Sequence, residues 1–162
     1  MVNKKNIIPW KFIFLLFLGL RLWTLSAFFG AQNYLQFEPR YPYTRELLLL
    51  FKYPILWSWA SFDGVHYLSL AEKGYSFLYS QAFFPVYFLF IRFVNFFIHN
   101  YLLSGLLISH LGFILSLVMF YKLIRLDFDE KVARWSMLFM TFFPSSFYFL
   151  SVYTESLYLF LT

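Results

Sequence analysis

An acid and an imidazole stand three positions apart in Phe62-Asp63-Gly64-Val65-His66-Tyr67. On a helix this spacing puts both side chains on one face. A carboxylate held there could take a proton from an alcohol, and the imidazole beside it could hold a sugar hydroxyl or a phosphate. Asp63 also has a plainer reading, as the N-cap of a short helix whose carboxylate accepts backbone N–H bonds. That role would orient the acid without excluding catalysis. His66 likewise reads either as an interfacial imidazole bonded to a neighbour or as part of the same site. A second polar group, Tyr153-Thr154-Glu155-Ser156, interrupts an apolar run, where an acid is costly unless it is paired or faces water. An ion pair of Glu155 with Arg92 or Arg21 is the structural alternative to a binding role. The Asp-x-x-His pair supplies two ligands where zinc takes three or four, so no metal site is expected.

The elements that must position these groups belong to a membrane protein. Of the 162 residues, 61% are hydrophobic, 27% aromatic and 13% charged, with a mean hydropathy of +0.64. Soluble domains carry about 25% charged residues. Cysteine is absent, which excludes a disulfide framework and a thiolate metal site. The net charge of +5 comes from scattered cations, which read as topology markers rather than as a nucleic-acid surface. No internal repeat, low-complexity linker or nucleotide-binding glycine loop is visible.

Apolar spans are expected at about residues 12–31, 101–124, 133–149 and from 155 onward. The basic start with Lys4, Lys5 and Lys11 sets the first span with its N-terminus inside. Arg21 lies in the middle of that span, and such an arginine faces a bundle interior, a cavity or an anion. Residues 32–82 form an outer loop broken by Pro39, Pro42 and Pro54. Within it, Glu46 to Trp59 is expected as a helix along the membrane surface, and Asp63 to Tyr75 as a second short helix closed by Gly74. Pro144-Ser145-Ser146 reads as a kink whose hydroxyls recapture freed carbonyls. His99 and His110 read as bundle histidines.

Residues 83–99, with Arg92 and Asn95 near the centre, leave the topology open. If this segment crosses, the basic turn Lys122–Arg134 falls outside and Glu155 lies across the membrane from Asp63. If it is re-entrant or interfacial, the basic turn falls inside and both acids share the outer face. Its length is short of the roughly 20 residues a span requires, and charge bias favours the second arrangement.

The pieces, taken in order, resemble the GPI mannosyltransferase II (PIG-V) family and its bacterial relatives within the glycosyltransferase C superfamily. They are Phe62-Asp63-Gly64-Val65-His66-Tyr67, Leu70-Ala71, Gly74-Tyr75, Ala82-Phe83-Phe84-Pro85-Val86-Tyr87, Pro144-Ser145-Ser146-Phe147 and Tyr153-Thr154-Glu155-Ser156. Phe62 departs from the family pattern, which has Trp before the acid. The resemblance implies an all-α, multi-pass membrane protein with a glycosyltransferase C-like helical bundle and interfacial helices in its first outer loop. It also implies inverting transfer of mannose from a polyprenyl-phosphate carrier to a hydroxyl of a glycan, lipid or protein. Asp63 would act as base with His66 beside it, and Arg92, Tyr153, Glu155 and Arg21 would contact substrate. No cofactor beyond the lipid-phosphate donor is implied, and no nucleic acid. The short N-terminus and composition point to a bacterial plasma membrane rather than the endoplasmic reticulum. The sequence reads as the N-terminal part of a longer enzyme. A transporter or small membrane subunit, with Arg21, Arg92 and Glu155 along a solute path, is the alternative, as is an inactive remnant.

Overall fold

A computed structural model describes residues 7–35, 54–76 and 80–162, and every regular element among them is helical. Helix α1 covers Trp10–Gln32, with neither proline nor acid inside it. Ile13, Leu16 and Leu20 are buried, while Phe14, Leu15, Trp23 and Phe29 are exposed. A helix that is apolar on every side suits hydrocarbon surroundings rather than water. Of the outer loop, the part from 36 to 53 lies outside the described residues, and with it most of the expected Glu46–Trp59 helix. What remains is a single turn, α2 (Pro54–Trp57), continued by 3-10 turn Ser58–Ala60. Helix α3 runs Asp63–Lys73 and stops, as expected, at Gly74, whose φ of 73° is open to a residue without Cβ and whose N–H reaches Leu70 O at 2.9 Å.

Helix α4 (Pro85–Ile98) opens on proline in its first turn and closes on His99 in the left-handed region. Asn100 then caps α5 (Tyr101–Asp127), its side chain accepting the N–H of Leu103 at 3.0 Å. The turn folds α4 back along α5. Tyr87 donates to Gly105 O at 3.2 Å and lies 2.6 Å from Ser109 Oγ, so α4 begins about 12 Å down α5 and climbs to its start. Helices α1 and α5 are long and apolar enough to cross a membrane by length and composition. They pack antiparallel: Phe17 meets His110 and Phe113, and Ile13, Leu16 and Leu20 share a core with Phe113, Leu117 and Tyr121.

Asp129 caps α6 (Glu130–Thr141) through the N–H of Val132 at 2.8 Å. The apolar run expected over 133–149 is therefore not one helix. It ends at Thr141, because Pro144 supplies no N–H and excludes the α conformation from the residue before it. Ser146 Oγ donates to Met140 O at 2.6 Å, recapturing a carbonyl the break sets free. A 3-10 turn, Ser146–Leu150, leads to α7 (Glu155–Leu161). The start of α1 and the basic turn between α5 and α6 share one end of the molecule, where the guanidinium of Arg134 lies over Phe12 at 5.2 Å.

Helix α5 is the post on which the rest leans. Ser104, Gly105, Ser109, Gly112 and Ser116 are buried along it, and their small side chains let α7 and the strand-like approach at Val152 come close. A Cβ on Gly112 would sit 3.0 Å from Ser156 Oγ and 3.2 Å from the backbone N of Leu157. Backbone cannot give way as a side chain can. Gly112→Leu is therefore expected to cost about 1–3 kcal/mol or more and to lower the thermal midpoint in detergent. Gly30→Leu, where an added Cβ meets nothing within 4 Å, is expected to leave it unchanged.

Candidate active site

The acid is delivered by a short, contorted approach. Trp59 and Ala60 are buried, Ser61 is extended, and Phe62 takes φ 52°, ψ −119°. A non-glycine residue held there costs on the order of 1–3 kcal/mol and persists only where its surroundings impose it. Asp63 follows at once as the first helical residue of α3. It is not the N-cap: that position is Phe62, and no side chain caps this helix. The carboxylate is exposed and available to a substrate.

Glu155 comes to Asp63 across 92 positions of sequence, near enough for the Asp63 charge to act on it. The bond that brings it is Val152 N–H to Trp59 O at 2.8 Å. The next residue, Tyr153, donates its phenol to Ser61 O at 2.9 Å. Thr154 bonds the phenol of Tyr67, whose ring sits edge-on to Phe83 at 5.1 Å and to Tyr87 at 5.0 Å. Burial pushes both phenols above their ordinary range, and the Asp63 carboxylate pushes them further. Tyr67 and Tyr153 thus keep their phenolic protons at neutral pH. The His66 ring, one turn along α3 from Asp63, packs against Phe83 at 5.1 Å.

The two arginines take separate paths. Arg92 lies at the far end of α3 from Asp63. Its Nε donates to Ala71 O at 2.7 Å and its Nη2 to Leu70 O at 3.2 Å. The carbonyl end of a helix attracts a cation, and Arg92, bonded there, makes no ion pair with Glu155. Arg21 stays near the site: its guanidinium lies over the Trp59 ring at 4.6 Å and bonds His110. Halfway along α1, it fastens the approach segment about 16 Å below the helix end at Gln32.

Sequence reasoning missed Ser61, which acts through its carbonyl and leaves no signal in residue type. It passed over Tyr67, although the residue directly follows His66 in the motif. An open cavity of about 880 Å³, lined by Tyr153 of this group, lies between α1, the 58–62 approach and the 142–153 segment. Ser58, Ser61, Tyr148 and Tyr153 face it together with Trp23, Phe28, Phe143 and Phe147.

Among the described residues every regular element is helical, and two helices are long and apolar enough to cross a membrane. The family model for Mannosyltransferase (PIG-V) matches residues 13–162, from α1 through α7. The chain belongs to the mannosyltransferase (PIG-V) family, and its general function is glycosyl transfer. Searches of the curated proteins and of the solved structures gave no match.

The raised phenols have a consequence for stability. Folding holds protons on Tyr67 and Tyr153 that the unfolded chain releases near pH 10, so their contribution is complete below that pH and is lost as pH rises above it. Denaturant titrations at stepped alkaline pH should show this decline, and Tyr153→Phe should make it shallower. An unchanged slope would assign the alkaline loss to other groups.

Proposed function

We propose that the protein transfers mannose, or a related hexose, from a polyprenyl-phosphate donor to a hydroxyl acceptor with inversion at the anomeric carbon. The observation that carries this reading is that the Asp63 carboxylate acts on Glu155, Tyr153 and Tyr67 together, in a chain of the mannosyltransferase family. Asp63 takes the proton from the acceptor hydroxyl as its oxygen attacks the anomeric carbon. The bond from that carbon to the phosphate oxygen breaks, and the polyprenyl phosphate departs with the electron pair. A single base on the face opposite the leaving group is what inversion requires. Glu155 accepts hydrogen bonds from sugar hydroxyls, His66 holds sugar or phosphate oxygens, and the Tyr153 phenol, its proton given to Ser61 O, accepts from a sugar hydroxyl. Arg21 supplies positive charge towards the departing phosphate, where charge develops; Arg92, committed to the end of α3, has no part in this.

The reading includes a side of the membrane. Lys11, Lys122, Arg125, Lys131 and Arg134 gather at the end where α1 begins and α5 finishes, and basic residues mark the cytoplasmic side. Asp63 and Glu155 then act from the outer half, on the non-cytoplasmic face of a bacterial plasma membrane. Helix α4, with 14 residues folded back along α5, serves as a re-entrant element rather than a crossing.

In the full-length protein Asp63→Asn is expected to lower mannosyl transfer by about 10²–10⁴-fold, with membrane insertion and expression unchanged. Transfer of labelled mannose from polyprenyl-phosphate mannose in isolated membranes measures it. Retained transfer would remove Asp63 from the role of base.

A further inference from the structure

We propose that His110 is a positioning residue for the acid. A lone pair on its Nε2 holds the guanidinium of Arg21 in place over Trp59, and so sets the approach that delivers Asp63. This rests on the reading of Asp63 as the base and adds a residue of α5 that acts on it from a distance. Three observations carry it.

The first is the chemistry of the bond. A guanidinium has five N–H donors and no acceptor, so a nitrogen it bonds must offer a lone pair. Nη2 of Arg21 bonds Nε2 of His110. The imidazole is therefore neutral in this arrangement, with its proton on Nδ1. Phe17 packs edge-on against the same ring at 5.5 Å and 87°. Phe17 and Arg21 stand one turn apart on α1, so a single helix face both bonds the half-buried imidazole and fixes its plane.

The second is how little else directs Arg21. Its Nη1 is buried with no hydrogen-bond partner among the described residues. Its guanidinium carbon lies 4.6 Å from the centre of the Trp59 ring. Attraction to the ring face brings the cation close, but it does not decide how the guanidinium is turned. The directed bond to His110 does.

The third is where the hold leads. Trp59 is fixed twice, through its carbonyl by the N–H of Val152 at 2.8 Å and through its indole by Arg21. Two residues on, the Ser61 carbonyl accepts the phenol of Tyr153. Phe62 follows at φ 52°, a conformation that lasts only while the surroundings impose it, and Asp63 comes next. A segment pinned by hydrogen bonds alone pivots about them. Anchoring the indole removes the pivot, and His110 sets the anchor.

The experiment uses the full-length protein in membranes, carrying Ser61→Cys as its only cysteine; the 162 residues supply no other. Alkylation of that cysteine reports the approach without any need for catalysis. In His110→Leu it should run about tenfold faster, because local opening of the segment becomes easier. His110→Gln, whose Oε1 can accept from Arg21, should label as the parent does. His110→Met stands in should His110→Leu fail to accumulate. With Ser61 restored, His110→Leu should lower mannosyl transfer about 10–100-fold, the scale of a small misplacement of a reacting group, and His110→Gln should recover most of it. Once Arg21→Met has cut the link, His110→Leu should change labelling and transfer by no more than about twofold, since residues that act through one another are not additive. Equal losses in His110→Leu and His110→Gln, or a full loss persisting in the Arg21→Met background, would overturn the proposal and reduce His110 to packing. The labelling pattern together with an active Asp63→Asn would leave the His110 link standing and sink the assignment of the base. Labelling indifferent to position 110 together with an inactive Asp63→Asn would do the reverse.

Discussion

The backbone N–H of Val152 donates to the carbonyl of Trp59, and the fully buried Val152 side chain presses on α5 where Gly105 leaves room for it. A Cβ on Gly105 would come within 2.9 Å of Val152 Cγ1, and one on Gly64 within 3.1 Å of the Val152 carbonyl. Two glycines from separate helices thus make the seat for one residue. That seat joins the loop ahead of α7 to the approach ahead of α3, and each of those helices begins with an acid. Without it Glu155 has no reason to lie near Asp63. Gly64 stands inside the Asp-x-x-His motif for this reason: the motif's acid must pass another backbone closely, and only a residue lacking a side chain permits the approach.

Charge in so apolar a chain is placed economically. Arg92 closes α3 by taking its last carbonyls, which holds the helix that carries Asp63 and His66 at its other end. Arg21 binds the ring of Trp59, two positions from the carbonyl-bearing Ser61. One arginine steadies the far end of the acid's helix and the other steadies the approach to its near end. The strained Phe62 between them is held from both sides, which is the condition under which such a backbone conformation survives.

Much of this was legible beforehand. Periodicity is of little help in helices that are apolar all round, but length and composition located α1 and α5, and Gly74 marked the end of α3. The kink at Pro144 and its rescue by a serine hydroxyl also follow from residue type. What escaped was the consequence of that kink. A run of apolar residues over 133–149 looks like a span, yet proline divides it into a short amphipathic helix and a 3-10 turn, after which residues 152–157 pack back against α5. The roles of the arginines escaped as well. Helix carbonyls and an indole face compete with carboxylates for a guanidinium, and sequence does not say which is within reach.

Residue types alone determined that the described segments are helical, that two of them suit a membrane, and that Asp63, His66, Tyr153 and Glu155 stand out as polar groups in an apolar chain, because these are local properties of composition, punctuation and side-chain chemistry. Tertiary structure alone decided which of them meet. Partnership between residues 63 and 155 depends on the close passage of backbones over Gly64, Gly105 and Gly112, and a distance between segments far apart in the chain is a property of packing, which no local pattern encodes.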